Sequence, residues 1–186
     1  MINTVPPVRQ SNLPIRPGRA NVLTYKTPQG TLWLQGPGIS PNPYGTVQAV
    51  VRAAGNPATV VAMPFGARQK LLAGTYEVEL LTLPRQLRRI TVKQGQETAV
   101  TYEAPGILNI VSDLKGYGSI YRLGNDEQQT WVYNLPETSS KVNLPMQPGA
   151  YRLVFRTKTA TGSQFTDVRT FTIRPGQTSS VSIFGR

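Results

Sequence analysis

Cysteine and histidine are both absent from this 186-residue chain. Without cysteine there are neither disulfides nor thiolate metal sites, so ordinary packing must hold the fold. Without histidine the commonest general base, the commonest soft metal ligand and the physiological pH switch are all missing. Acids are few, nine against twenty Lys and Arg, which leaves a net charge of +11. No apolar stripe of 3.6-residue period reaches helical length, which argues against a helical fold. No run approaches the ~20 apolar residues of a membrane span. Met1-Ile2-Asn3-Thr4-Val5-Pro6-Pro7 has no apolar stretch behind a basic start, so no secretory signal is expected within this sequence.

What the chain does have is glycine (17) and proline (16) spread between short alternating segments, the texture of strands and tight turns. It also repeats itself. Leu71-Leu72-Ala73-Gly74-Thr75-Tyr76-Glu77-Val78-Glu79-Leu80 returns as Met146-Gln147-Pro148-Gly149-Ala150-Tyr151-Arg152-Leu153-Val154-Phe155 at an offset of 75. In each copy a glycine supplies a backbone conformation that a side chain would hinder, and a strand with alternating inward and outward residues follows. Gly30-Thr31-Leu32-Trp33-Leu34 matches Gly106-Ile107-Leu108-Asn109-Ile110, and Tyr44-Gly45-Thr46-Val47 matches Tyr117-Gly118-Ser119-Ile120. Thr59 to Pro64 matches Trp131 to Pro136, and the Gly95-Gln96 hairpin matches Gly176-Gln177. Segments that keep their order as well as their type point to two homologous modules.

The expected architecture is therefore all-β: two tandem small antiparallel β-sandwiches, transthyretin-like or Ig-like, after an extended proline-rich segment. The boundaries read as 1–29 for the lead-in, 30–105 for the first module and 106–186 for the second. Within the lead-in, Val22-Leu23-Thr24-Tyr25 reads as a short edge strand or as a stretch packed on the first module. Trp33, Trp131, Tyr76, Tyr151, Phe155 and Phe171 fall on alternating positions, and most of them are expected in the two cores.

The ordered set of segments resembles the transthyretin-like (prealbumin-like) β-sandwich repeats of carboxypeptidase-regulatory and related bacterial surface modules. The residues that carry the likeness are the Gly-x-Tyr strands, Thr82-Leu83-Pro84, and the closing Val92-Lys93-Gln94-Gly95-Gln96. Tyr117 to Tyr121, Trp131 to Leu135 and Gln147 to Thr157 also resemble the region that follows the von Willebrand factor A domain in bacterial proteins. The Asp-x-Ser-x-Ser metal motif of that domain is absent, so the resemblance implies the accessory part alone. That part is a scaffold that supports, spaces or docks at the cell envelope, with no metal site.

Candidate sites are sparse. Glu77 and Glu79 stand two apart on one strand, roughly 7 Å, but Arg152 and Val154 replace them in the second copy and no companion acid accompanies them. Asp126-Glu127 is two acids at a turn, too few for a calcium cage. No glycine-rich phosphate loop leads into a helix. No catalytic, metal or cofactor residue is assigned, and the chain is read as a non-enzyme. Two clusters remain. Tyr117, Tyr121, Arg122 and Tyr133 are a possible ligand or partner contact, and Arg85, Arg88, Arg89 and Lys93 a possible basic patch. In that patch alternation sets Arg89 and Lys93 opposite Ile90 and Val92. The expected role is a structural module that binds a protein partner or self-assembles, with residues 1–29 able to pair with a neighbour's sheet edge. Carbohydrate or envelope-polymer binding through exposed aromatics is the alternative. Electrostatic nucleic-acid binding, which would weaken steeply with salt, comes third.

Overall fold

Fourteen strands are found among the described residues. In the computed structural model, residues 4–9, 11–22, 24–36, 49–124, 128–137, 141–162 and 165–184 are described, and no α-helix occurs among them. Two compact units are present. One comprises Met1–Gln35, Val47–Glu79 and Leu87–Thr101, and the other Gly36–Thr46, Leu80–Gln86 and Tyr102–Arg186.

In the first unit β1 (Gln29–Gln35) lies between β4 (Arg68–Leu72) and β7 (Glu97–Thr101). A second sheet runs in the order β3 (Thr59–Met63), β2 (Ala49–Ala53), β5 (Gly74–Leu80), β6 (Gln86–Val92). The second unit has the same plan. There β8 (Gly106–Ser112) lies between β11 (Lys141–Met146) and β14 (Thr178–Ile183). Its other sheet runs β10 (Gln129–Leu135), β9 (Gly116–Leu123), β12 (Gly149–Thr157), β13 (Thr166–Ile173). Each three-stranded sheet holds one parallel pair, β1 with β7 and β8 with β14. The sheets are thus mixed rather than wholly antiparallel, because the first and last strands of a unit meet after the chain has passed through the other sheet.

Alternation explains which residues face inward. In β1 and β5 every second side chain is buried, as a pleated strand with one wet face requires. Leu32, Leu34, Val51, Leu71, Tyr76, Val78 and Val92 fill the first core. Leu108, Ile110, Ile120, Met146, Tyr151, Leu153, Phe155 and Ile173 fill the second. Pro145 sits in β11, an edge strand, where a missing N–H is tolerated.

The hairpins expected at Gly95-Gln96 and Gly176-Gln177 are instead turns that carry the chain from one sheet to the other, since β6 and β7, like β13 and β14, belong to different sheets; the two turns nevertheless repeat bond for bond. Thr31 N–H donates to the Gln96 carbonyl at 2.9 Å, and Ile107 N–H to that of Gln177 at 2.9 Å. Gly95 N–H donates to Gln29 (2.8 Å) and Gly176 N–H to Pro105 (3.1 Å). Thr98 Oγ1 donates to the Thr91 carbonyl and Ser179 Oγ to the Thr172 carbonyl. The repeated tyrosines behave alike too. Tyr76 Oη donates to the Leu72 carbonyl at 2.8 Å and Tyr151 Oη to the Gln147 carbonyl at 2.7 Å. Of the glycines two residues earlier, Gly149 takes a positive φ of 148° while Gly74 does not, so the backbone need expected at both holds for one.

The β2 match lies differently. Residues 44–47 are outside the described residues, but each unit carries a bulge between its second and third strands, at Val51/Arg52 and at Trp131/Tyr133. Superposing the bulges sets Val51 on Ile120 and Arg52 on Tyr121, an offset of 69 rather than the 73 suggested by the Tyr-Gly match.

Part of the lead-in is tied down. Leu72 N–H donates to the Val5 carbonyl and Ala73 N–H to that of Pro28, both at 2.8 Å, and Thr4 is buried. Val22 is exposed and residues 22, 24 and 25 form no strand. Within the second unit the segment Leu80–Gln86 pairs with β11 and its exit: Leu83 N–H donates to Pro145 at 2.9 Å, Gln147 N–H to Leu83 at 2.7 Å, and Gln147 Nε2 to the buried Thr82 Oγ1.

Candidate functional site: an aromatic and arginine face of the second unit

The outward positions of β10-β9-β12-β13 follow from register. Inward residues Gly118 and Leu135 pair, as do outward residues Ser119 and Asn134. Two residues further along β9, Tyr121 lies between Trp131 on one side and Arg152 on the other, and Arg152 lies beside Thr170. Ser119 is flanked by Val154, and Val154 by Val168. Tyr117 lies opposite Arg156. One sheet face thus carries Trp131, Tyr121, Tyr117, Arg152, Arg156, Val154 and Val168. Trp131, Tyr117 and Val168 are 57%, 55% and 53% exposed.

The indole of Trp131 is held in place. Its Nε1–H donates to Asn134 Oδ1 at 2.9 Å, and the same oxygen accepts from Ser119 Oγ at 2.8 Å. An aromatic ring locked before any ligand arrives loses little entropy on contact. Next to it Leu123, Gly124, Gln129 and Arg152 line a depression of about 240 Å³. Arg152 Nε is buried and has no hydrogen-bond partner. Among the described outward positions of the four strands there is no Asp or Glu.

Of the residues singled out in the sequence, Tyr117 and Tyr121 share this face. Tyr133 does not: it packs against the core cluster. Arg122 alternates to the other side of β9, at the rim near Tyr151 and Gly149. The expectation for Trp131 fails, since it is exposed. The bulge is the reason. Plain alternation puts Trp131 and Tyr133 on one face, whereas the extra residue re-aims the strand so that Trp131 pairs with outward Tyr121 and Tyr133 with inward Ile120. Trp33 also lies outside the core, half-buried, with the Arg68 guanidinium 3.8 Å from its ring centroid. Arg152 was visible in sequence only as the residue that replaces Glu77.

The basic residues are exposed. Arg88 and Arg89 are consecutive in β6 and so point to alternate faces, Lys93 follows in the turn, and Arg85 lies in the segment Leu80–Gln86. Glu79 pairs with Arg52 at 2.7 Å on the outward side of the first unit. Asp126 and Glu127 lie outside the described residues.

Burial pushes the Tyr151 hydroxyl up to about 12, partly offset by the Arg122 charge, and raises Tyr76 in the same direction. Among the described residues no group of three or more Asp or Glu gathers to hold a metal, and no helix is long and apolar enough to cross a membrane.

No protein-family model matches the sequence, and no curated protein matches it. Among solved structures, the Bacillus anthracis TIE protein is similar at 13% identity and a TM-score of 0.34, over 84% of this chain and 33% of that one. This chain thus spans about a third of that chain's length. GBS52, the minor pilin of the Gram-positive pathogen Streptococcus agalactiae, is similar at 13% identity and a TM-score of 0.32, over 83% of this chain and 94% of that one.

Proposed function

We propose that the chain is a non-enzymatic interaction module built from two transthyretin-like sandwiches in tandem, residues 30–105 and 106–186, that docks a protein partner through the outward face of β10-β9-β12-β13. The tandem reading is supported by the strand order common to both units and by the matched hydrogen bonds of the closing turns and the tyrosines.

The docking reading rests on one observation: Trp131 and Tyr117 are both more than half exposed on a face that also carries Arg152, Val154 and Val168. Contiguous apolar surface of this kind marks recognition sites, and Trp, Tyr and Arg are the residues that dominate protein interfaces. An exposed aromatic pair also suits a sugar ring. The branched Val154 and Val168 in the middle of the sheet favour a protein surface, because they offer a sugar neither a flat ring nor a hydrogen bond.

A photo-cross-linking amino acid placed at Tyr117 of the full chain in its native cells tests this. One discrete protein adduct is expected at Tyr117 and none from the same group at Asn109, on the other sheet of the unit. Equal labelling at both positions refutes the docking face. Binding of neutral oligosaccharides that is lost on Trp131→Ala establishes the sugar reading in its place.

A further inference from the structure

The unpartnered arginine narrows the chemistry of the partner. A guanidinium carries its charge regardless of pH and presents donors in a fixed fork. Leaving such a donor buried without an acceptor is costly, and the groups so left in folded proteins call for an explanation. Arg152 Nε is such a donor, and its residue lines a depression together with Leu123, Gly124 and Gln129.

The first unit solves the corresponding problem internally. Its repeat positions carry Glu77 where Arg152 stands and Glu79 where Val154 stands, and Glu79 holds Arg52 at 2.7 Å. In the second unit both acids are gone, Tyr121 occupies the Arg52 position, and two arginines face outward with no described carboxylate among them. Among the described residues the face keeps the cation and lacks its counter-ion.

We infer that Arg152 is the receptor for a carboxylate of the partner, so that the docking face selects a protein segment in which an Asp or Glu stands beside apolar side chains. This rests on the docking reading above. The carboxylate pairs with the Arg152 guanidinium at the depression, while its apolar neighbours lie on Trp131, Tyr121 and Val154. Charge complementarity favours an acidic occupant over a second copy of this chain: the molecule carries +11, and two copies of this face would oppose arginine to arginine. Nucleic acid fits less well, since tracking a phosphate backbone needs a line of cations and the outward positions supply two, flanking a valine.

The test is fluorescence anisotropy on the full chain with three labelled probes: a short peptide alternating Glu with Leu, its Gln counterpart, and single-stranded oligothymidylate. Wild type is expected to bind the Glu peptide more tightly than the other two. Arg152→Lys keeps the charge and the aliphatic stem but loses the fork, and is expected to weaken the Glu peptide about tenfold, the weight of a charge-assisted hydrogen bond, without changing the Gln peptide. Trp131→Ala should weaken both peptides. If Arg152→Lys binds the Glu peptide as wild type does, or if wild type fails to bind it, the carboxylate inference is overturned. A Trp131→Ala loss on both peptides beside a silent Arg152→Lys leaves the docking face standing without its acidic preference. A silent Trp131→Ala sinks the docking face itself. Tightest binding to oligothymidylate assigns the site to general polyanion attraction and overturns the proposal. Unchanged circular dichroism of each variant confirms that it is folded.

Discussion

Replacing Gly106 by alanine should destabilise the second unit far more than the same change at Gly176, in the turn between β13 and β14 that Gly106 packs against. A Cβ on Gly106 would stand 2.4 Å from the Arg174 carbonyl oxygen, 2.9 Å from that of Gln177 and 2.7 Å from Ile173 Cγ2. Two of these three atoms belong to the backbone of the closing turn, which is held by Ile107 N–H to Gln177 and Gln177 N–H to Arg174. The clash therefore cannot be relieved by a rotamer change. Overpacking of this kind costs about 1–3 kcal/mol, and a displaced ladder bond adds about 1. A total of about 3 kcal/mol is expected. Gly176 has φ of +66° with nothing within 4 Å of its Cβ position, so alanine there meets only left-handed strain, about 1–2 kcal/mol. The first unit offers the same contrast between Gly30, whose Cβ would meet Lys93 O at 2.2 Å, and Gly95, open with φ of +69°. The two tryptophans make the assay specific, because Trp33 lies in the first unit and Trp131 in the second. Denaturant titrations in Trp33→Phe and Trp131→Phe backgrounds report one unit each. Gly106→Ala should lower the midpoint seen by Trp131, and Gly30→Ala that seen by Trp33. A Gly106→Ala variant no less stable than Gly176→Ala would refute the reasoning.

Three further outcomes are expected. Tyr151→Phe leaves the Gln147 carbonyl without its buried 2.7 Å donor and should cost about 1–3 kcal/mol in the Trp131 signal. In the wild type the folded Tyr151 holds its proton up to about 12, against 10.0 for an ordinary tyrosine, so its contribution is complete below pH 10 and is lost as pH rises towards 12. Tyr151→Phe should flatten that alkaline loss in denaturant titrations across this window, and an unchanged slope counts against the burial effect. Glu79→Gln, at the partly buried Arg52 pair, should cost about 1 kcal/mol by thermal melting, whereas Glu97→Gln at the exposed Arg68 pair should stay within about 0.5; the reverse ranking contradicts the burial argument. Deleting residues 1–9 removes the Val5 carbonyl that accepts from Leu72 and uncovers part of the β4 edge. A loss of about 1 kcal/mol in the Trp33 signal and faster aggregation on light scattering are expected; a variant as stable and as soluble as wild type shows that the contact carries nothing.

The repeated parts of the fold were legible because their residue requirements are narrow. A tight turn that needs a left-handed residue writes Gly95 and Gly176, although it crosses between sheets rather than closing a hairpin, and a buried hydroxyl that must find an acceptor writes Tyr76 and Tyr151. Strands β4 and β11 were harder to read. Arg68 to Leu72 is mostly polar, and Lys141 to Met146 contains a proline, because an edge strand makes weaker demands on its sequence than a central one. The parallel pairing of first and last strands left no mark either, since pairing partner is a property of topology and not of any local residue pattern.

The proposed docking face turned on a single extra residue. Period-two alternation runs correctly along β9 and β12, and it placed Tyr117 and Tyr121 together. It failed at β10, where the bulge after Trp131 exchanges the fates of two aromatics, sending Tyr133 to the core and Trp131 to the surface. A bulge has no fixed sequence signature, but this one has a counterpart at Val51/Arg52, so it belongs to the shared plan of the two units. The plan then explains how the units diverge. With the bulge in place, the position before it is outward in both: it holds Thr59 in the first unit and Trp131 in the second, while neighbouring outward positions exchange the Arg52–Glu79 ion pair for Tyr121 and Val154. An outer face that pairs Arg52 with Glu79 in one copy has become, in the other, apolar and cationic with no carboxylate among its described outward positions. That change costs the isolated unit an ion pair and a satisfied arginine, and in the docking reading proposed above a partner that covers the face offsets the cost.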